Sequence, residues 1–320
     1  MAVPQWLAPA RPADKDGAVT VTHRPLLAMG LRLAAVAVLA TLTMTVKYTV
    51  DRGVAFPEVL FWRQAITVPI LLAWLAMRSE VRRVRTQRLP AHFTRALMGA
   101  LGMGFTFGAP VLLPLAEAVT LGFTTPIFAV VFSALLLKEQ IGPYRWTAVV
   151  LGFCGVLVIA RPDGHLPLFG SLVGLGAGLM VALISIQVRD LTRTDEPLSI
   201  VFWFAALSTP VLALFLPFYA TAHTPEQWLL LGAIGLLGCA GQLLLTASLR
   251  FGQVATVIVM DYSALAWATF YGWAIWGDMP APSTWLGAPL ILAAGLVIVW
   301  REHVLQRRHT AAGTLTVPPG

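Results

Sequence analysis

Apolar residues in this chain come in blocks of about 17 to 23 separated by short polar turns, and a helix needs about 20 residues to cross a hydrocarbon core at 1.5 Å per residue. Backbone amides inside lipid must find partners within their own segment, so each block is expected to be a membrane-spanning helix. The sequence predicts ten of them, at 26–46, 57–77, 96–113, 117–137, 145–160, 168–188, 199–218, 228–247, 254–276 and 283–301. Composition agrees: 58% of the 320 residues are hydrophobic and 12% are charged, against about 25% charged in an average soluble domain. The first block has no small-residue cleavage pattern after it and is expected to stay as the first span. The tails, residues 1–25 and 302–320, are rich in Pro, Ala, Thr and Gly and are expected to be disordered.

The formal charge of +7 sits in short basic runs between the blocks, which marks membrane topology and not a nucleic-acid surface. With ten spans and both termini cytoplasmic, only Lys47, Arg52 and Arg161 of the 22 Lys and Arg fall outside. Arg32 and Arg63 fall within helices, and the rest, Arg95 among them, are cytoplasmic. A multi-pass protein of a bacterial inner membrane is the expectation, with membrane lipid as its surroundings and a homodimer compatible with the sequence. Cys154 and Cys239 lie in apolar blocks and are read as buried thiols, and no spacing of acids, His or Cys suits a metal or another cofactor.

The chain also resembles itself. Gly99-Ala-Leu-Gly-Met through Arg161-Pro162 and Gly232-Ala-Ile-Gly-Leu through Arg301-Glu302 each run from a Gly-rich helix to a helix ending in an acid, Glu139 or Asp278, then to Trp146 or Trp285 and a closing helix. Two five-helix halves, 26–162 and 163–301, follow. Five is odd, so the second half crosses in the opposite sense, and such inverted repeats give two packings open to either side. The fold class expected is therefore an all-α integral membrane protein of ten helices in two inverted five-helix repeats.

The run Leu115-Ala-Glu-Ala-Val-Thr-Leu-Gly-Phe-Thr-Thr-Pro126-Ile-Phe, then Leu-Leu-Leu-Lys-Glu139, Arg145-Trp146 and Leu151-Gly-Phe-Cys-Gly155-Val-Leu-Val-Ile-Ala-Arg161-Pro162 resembles the first repeat of EamA-type proteins of the drug/metabolite transporter superfamily. Asp261-Tyr262-Ser263 to Trp267, Gly272-Trp273 and Trp276-Gly277-Asp278-Met-Pro280 resemble that family's second repeat, with Leu265 where many members have Pro and Asp278 where they have Glu. The resemblance covers about residues 26 to 301. It implies a secondary transporter of small metabolites. Similarity of Asp261-Tyr-Ser and Trp267 to S-adenosylmethionine-type members is too short to fix a substrate.

Polar groups inside the blocks are the candidate site, because a charge at mid-bilayer costs about 2.5–3.5 kcal/mol on insertion scales. Asp261, with Tyr262 beside it and Trp267 further along, suits a substrate amine or a coupling proton, or hydrogen bonds to neighbouring helix ends. Arg63 suits a substrate carboxylate or a partner acid such as Glu117, or snorkels to the interface. Glu117 suits gating or the capping of its helix N-terminus. Tyr48, Thr120, Thr124, Gln187 and Gln242 suit a cavity lining or ordinary interhelical bonds. Gly170, Gly174 and Gly178, like Gly104 and Gly108, recur every four residues and suit close helix contact.

The chain lacks a GxxxxGK[ST] loop, so transport draws on a gradient or on exchange. The function expected is a secondary active transporter of a small polar or amphipathic metabolite, amino-acid-like or nucleoside-like, exporting or exchanging by alternating access, with a proton as coupling ion. The alternatives are a membrane-embedded enzyme on a lipid-linked substrate, for which the histidines form no HExxH or paired-acid cluster, and a passive channel or uniporter.

Overall fold

The computed structural model describes residues 25–135, 142–159, 167–191, 194–251 and 259–314. Among these every regular element is helical: α1 (Pro25–Asp51), α2 (Phe56–Met77), α3 (Leu89–Leu112), α4 (Leu115–Gly122), α5 (Thr125–Leu135), α6 (Pro143–Ile159), α7 (Leu168–Leu191), α8 (Pro197–Ala213), the single turn α9 (Leu216–Tyr219), α10 (Pro225–Phe251), α11 (Ala264–Tyr271) and α12 (Pro282–Thr314). Six segments are long and apolar enough to cross a membrane, counting α4 and α5 as one, and three shorter apolar helices accompany them. The chain is a multi-pass membrane protein.

Proline fixes many of the helix starts. Pro25, Pro143, Pro197, Pro225 and Pro282 open their helices, and Pro57 and Pro90 lie in the first turn of α2 and α3. There the missing N–H has no intrahelical acceptor to lose, and the fixed φ is already helical. Pro69, Pro110, Pro210 and Pro289 lie inside helices, where each frees a backbone carbonyl that neighbours must satisfy.

The helices pair across the two halves. α1 lies along α10, α3 along α7 and α6 along α12; α2 packs on α8 and α10, α8 also on α3, α4 and α5 on α7, and α11 on α1 and α4. Leu42, Val59, Met103, Phe204 and Leu231 belong to one apolar core built on α1, α2, α3, α8 and α10. Leu121, Ile127, Val156 and Ile291 belong to another between α4, α5, α6 and α12.

Glycine sets how closely the pairs approach. A Cβ on Gly155 would stand 2.8 Å from the Gly287 carbonyl, and one on Gly287 would stand 2.6 Å from the Gly155 carbonyl, so α6 and α12 touch backbone to backbone. Gly170, Gly174 and Gly178 meet Leu113, Leu121 and Thr124 in the same manner, as their spacing predicts. Gly104 faces open space and Gly108 makes only ordinary contacts, so that second stripe is no close crossing.

Polar bonds gather helix ends on two faces. On the distal face, where α1 ends, Arg52 binds Glu226 at 2.7 Å, Trp276 Nε1 donates to Asp51 at 2.8 Å and Lys47 Nζ donates to the Pro110 and Leu113 carbonyls at 2.7 and 3.0 Å. On the proximal face a 3-10 turn, Val81–Val84, follows α2. Its Arg83 binds Glu80 and Glu196 at 2.7 and 2.9 Å, Arg88 binds Asp190 at 2.5 Å, and Trp203 Nε1 donates to the Val84 carbonyl at 2.7 Å.

Several expectations change. The predicted 96–113 span begins at Leu89, because Pro90 starts the helix and His92 is buried. The 117–137 span breaks at Phe123 and Thr124, where the Thr124 and Thr125 hydroxyls donate to the Leu121 and Gly122 carbonyls at 2.7 and 2.8 Å. The described part of the 254–276 span, from Val259 on, is a 3-10 turn over Val259–Ser263, then α11, then a π turn over Gly272–Trp276 closed by Gly277 at φ 71°; residues 254–258 lie outside the described residues. Residues 302–314, expected to be disordered, continue α12, since propagating an existing helix through Leu, Gln, Arg and Ala costs little. Lys47, placed outside by its charge, is buried within α1. Cys154, expected to be buried, is exposed on α6, whereas Cys239 is buried. Glu139 and Arg161 of the repeat motif lie outside the described residues.

Candidate functional site

Two clusters of charge lie inside the bundle. In the first, Asp261 in the 3-10 turn before α11 faces Arg32, seven residues into α1. Arg32 Nε and Nη2 donate to the two carboxylate oxygens at 2.6 and 2.5 Å, a two-pronged pair matched to the planar guanidinium. The Arg32 side chain is 8% exposed and that of Asp261 34%. Tyr262, next in the chain, stands edge-on to Phe123, just after α4, at 5.1 Å and against Gly295 of α12; its hydroxyl is buried with no partner. Further along, Tyr271 shares a hydrogen bond of 2.8 Å with Thr41 and stacks on Trp267, which is exposed. A line of polar contacts thus runs between α1 and α11.

The second cluster lies between α2, α3, α8 and α10. Arg63 is 2% exposed, so it does not snorkel. Nor does it pair with Glu117: its Nη1 donates to Gln64 Oε1 at 2.9 Å and lies 2.9 Å from Met103 Sδ, and Gln64 Nε2 donates to Ser208 at 2.8 Å. Glu117 is used elsewhere. Its Oε1 accepts from the Ala281 N–H at 2.9 Å and the Thr284 hydroxyl at 3.0 Å, so its hydrogen bonds serve the N-terminus of α12, while its own helix start receives no side-chain capping bond.

The other predicted site residues scatter. Tyr48 stacks under Arg52 and accepts its hydrogen bond at the distal surface. Thr120 and Thr124 donate to carbonyls of their own helical segment. Gln187 donates to Thr94 at 2.9 Å, and Gln242 is half-buried on α10. Asp261, Tyr262 and Trp267 are therefore brought to one side, Arg63 to another, and Tyr48, Thr124 and Glu117 to neither.

Two buried acid–histidine contacts escaped sequence reasoning. Glu58, in the first turn of α2, meets His223 Nε2 at 2.6 Å and Trp62 Nε1 at 3.2 Å, with Trp228 edge-on to both rings. On the proximal face His92 of α3 meets Asp195 at 3.3 Å beside Trp203. Burial pushes the Asp195 carboxyl up, but hydrogen bonds from Thr86, Thr194 and His92 outweigh it and hold the group below its usual value. More than 100 residues separate the partners of each contact, so no local motif reveals them.

The EamA-like transporter family matches this sequence twice, over residues 26–161 and 168–300. The chain is 27% identical over 300 residues to the riboflavin transporter of Vibrio cholerae serotype O1, an alignment spanning 92% of this chain and 100% of the relative. It is 31% identical over 279 residues to the pseudopaline exporter CntI of Pseudomonas aeruginosa, spanning 85% and 96%. The S-adenosylmethionine uptake transporter of Rickettsia felis is 26% identical over 259 residues, spanning 79% and 86%. These relatives are transporters and not enzymes, which removes the enzyme alternative. A crystal structure at 21% identity shares the fold, with a TM-score of 0.57 over 89% of this chain and 98% of that one.

Proposed function

The chain belongs to the EamA-like transporter family, and from that premise we propose a secondary active carrier that moves a small polar or amphipathic metabolite by alternating access of two inverted five-helix repeats. The observation that carries this reading is the pattern of helix pairing. Numbering the spans one to ten, with α4–α5 as the fourth, α9 folded into the seventh and 259–276 as the ninth, exchange every span for the one five further on. The α1–α10 pair becomes α7–α3, α2–α10 becomes α8–α3, and α1–α11 becomes α7–α4, while α6–α12 and α2–α8 map onto themselves; all of these contacts exist. The acid–histidine contacts obey the same exchange, joining the start of α2 to that of α10 on one face and the start of α8 to that of α3 on the other. Two matched packings of this kind suit a carrier that opens to either side in turn.

The Arg32–Asp261 pair is the reading's coupling centre. The Asp261 side chain is one-third exposed and tied to a buried cation; in this reading its exposed side faces the solute path, so a proton or a substrate ammonium arriving at the carboxylate competes directly with Arg32. Trp267, Tyr262 and Gln242 belong to the substrate path in this reading. Both termini lie in the cytoplasm of a bacterial cell, with net movement outward or by exchange; the named solutes of the relatives differ too much to assign one here.

The test is counterflow and uptake of a metabolite library in proteoliposomes, with and without a pH gradient. Exchange that accelerates in preloaded vesicles, and accumulation driven by the gradient, are expected. Failure of every solute to exchange overturns the carrier reading; flux that no gradient concentrates turns it into a passive channel.

A further inference from the structure

Arg32, Arg52, Arg83 and Arg88 each hold a carboxylate. Arg63 and Arg95, whose side chains turn into the bundle, do not. Arg63 of α2 sits 5.1 Å from the centre of the Phe107 ring, and its Nε is buried with no partner. Arg95 of α3 lays its guanidinium 4.3 Å from the centre of the Phe204 ring, and its Nε and Nη1 are both buried with no partner. Among the described residues no carboxylate forms an ion pair with either.

Their positions converge. Residues 95, 99, 103 and 107 recur every four positions and form one stripe of α3. Arg95 reaches up that stripe as far as Gly99, where a Cβ would collide with its Nη1. Arg63 comes in from α2 to touch Met103, one turn higher. The two guanidiniums thus meet the same stripe of α3 at positions one helical turn apart. The absence of a side chain at Gly99 leaves room for Arg95 to point inward, and the Gln64–Ser208 bond holds the amide that orients Arg63.

A buried charge without a counter-ion is costly, and cation–π contact with two phenylalanines offsets only part of that cost. Leaving N–H donors of two neighbouring cations unsatisfied makes chemical sense if a mobile anion completes them. A planar fork of donors is the arrangement that recognises carboxylate and phosphate. Enclosure by four helices, with Arg63 fully buried, favours a compact solute over the headgroup of a two-tailed lipid.

We propose that Arg63 and Arg95 together form the subsite for an oxyanion group, carboxylate or phosphate, of the transported solute. This rests on the carrier reading and narrows it to anionic metabolites whose bodies pack beside Phe107 and Phe204.

The full chain in phosphatidylcholine nanodiscs is titrated with benzoate, phenyl phosphate and the neutral isostere benzamide, following tryptophan fluorescence and thermal unfolding. Both anions are expected to bind and to raise the unfolding temperature, with benzamide about tenfold weaker or more. Arg95→Gln and Arg63→Gln should each weaken benzoate about tenfold or more, while the ligand-free unfolding temperature holds or rises because an uncompensated cation is gone. A merely structural arginine predicts the reverse, a fall in ligand-free stability. Should Arg95→Gln fail to fold, Arg95→Lys keeps the charge and loses the fork, and benzoate binding must weaken there too. Equal binding of benzamide, binding insensitive to both arginines, or no binding of either anion overturns the proposal. So does Arg95-dependent competition by phosphatidylglycerol added to the nanodisc, which makes the occupant a lipid. Arginine-dependent binding with no counterflow of any solute sinks the carrier reading and leaves the subsite; counterflow of solutes that ignores both arginines does the opposite.

Discussion

Asp261→Asn probes the Arg32–Asp261 pair through its asymmetry. The two partners are bonded twice, yet the Arg32 side chain is 8% exposed and that of Asp261 is 34% exposed. Removing the carboxylate strands a buried guanidinium whose Nη1 already lacks a partner; removing the arginine leaves a carboxylate that water can reach. Breaking a fully buried pair costs roughly 3–5 kcal/mol, and partial access of water to the site lowers that to about 2–3 kcal/mol for Asp261→Asn. Arg32→Met should cost about 1 kcal/mol, because the cation disappears and its apolar stem is replaced. The double variant should resemble Arg32→Met, which gives a coupling of about 2–3 kcal/mol in a double-mutant cycle. The assay is reversible unfolding of the purified protein in mixed micelles, read by tryptophan fluorescence. An Arg32→Met loss equal to or larger than that of Asp261→Asn, or a double variant equal to the sum of the singles, refutes the reasoning. In vesicles the inserted Asp261→Asn protein should lose counterflow, and wild-type flux removes Asp261 from the transport path.

Gly155→Ala places its methyl 2.8 Å from the Gly287 carbonyl and should cost about 1–3 kcal/mol in the same unfolding assay. Gly232→Ala meets nothing within 4 Å and should be neutral or stabilise by up to about 1 kcal/mol; equal effects of the two changes contradict the backbone contact. Because the folded-state pKa of Asp195 lies below its unfolded value of about 3.9, its contribution is present above about pH 4 and is lost as pH falls through the lower folded value. Asp195→Asn should therefore flatten the acid limb of stability below about pH 4, and an unchanged limb in the pH series would count against that contact.

The apolar blocks were legible because lipid thickness fixes their length, and nine of the ten predicted spans overlap a long or shortened helix at their stated positions. The ninth was not legible in detail. Asp261, Tyr262 and Ser263 take a 3-10 turn, and the carboxylate within it meets Arg32 from the first helix, a partner more than 220 residues away. Arg32 itself was visible in the sequence as a charge seven residues inside an apolar block, a signal that asks for a named partner. Arg95 was hidden by the opposite effect, since its place beside the basic run 82–88 made it look like one more topology marker. Glu117 was read through its own helix N-terminus, the nearest one in sequence; the N-terminus its hydrogen bonds serve belongs to α12, more than 160 residues away. Composition and periodicity report what a segment buries, and partners across the two halves leave no trace in either.

The α6–α12 contact has a consequence for how the protein is made. The fifth helix is complete at Ile159, but the helix whose glycine it needs starts at Pro282. At about 5–20 residues per second of synthesis, the intervening stretch of roughly 120 residues takes on the order of 6 to 25 s. Throughout that interval the Gly155 face has only lipid or the insertion machinery against it, whereas α3 gains α7 by residue 191 and α1 gains α10 by residue 251. Nascent chains arrested just before residue 282 should consequently present α6 with its glycine face uncovered, a long-lived surface for membrane quality control to recognise.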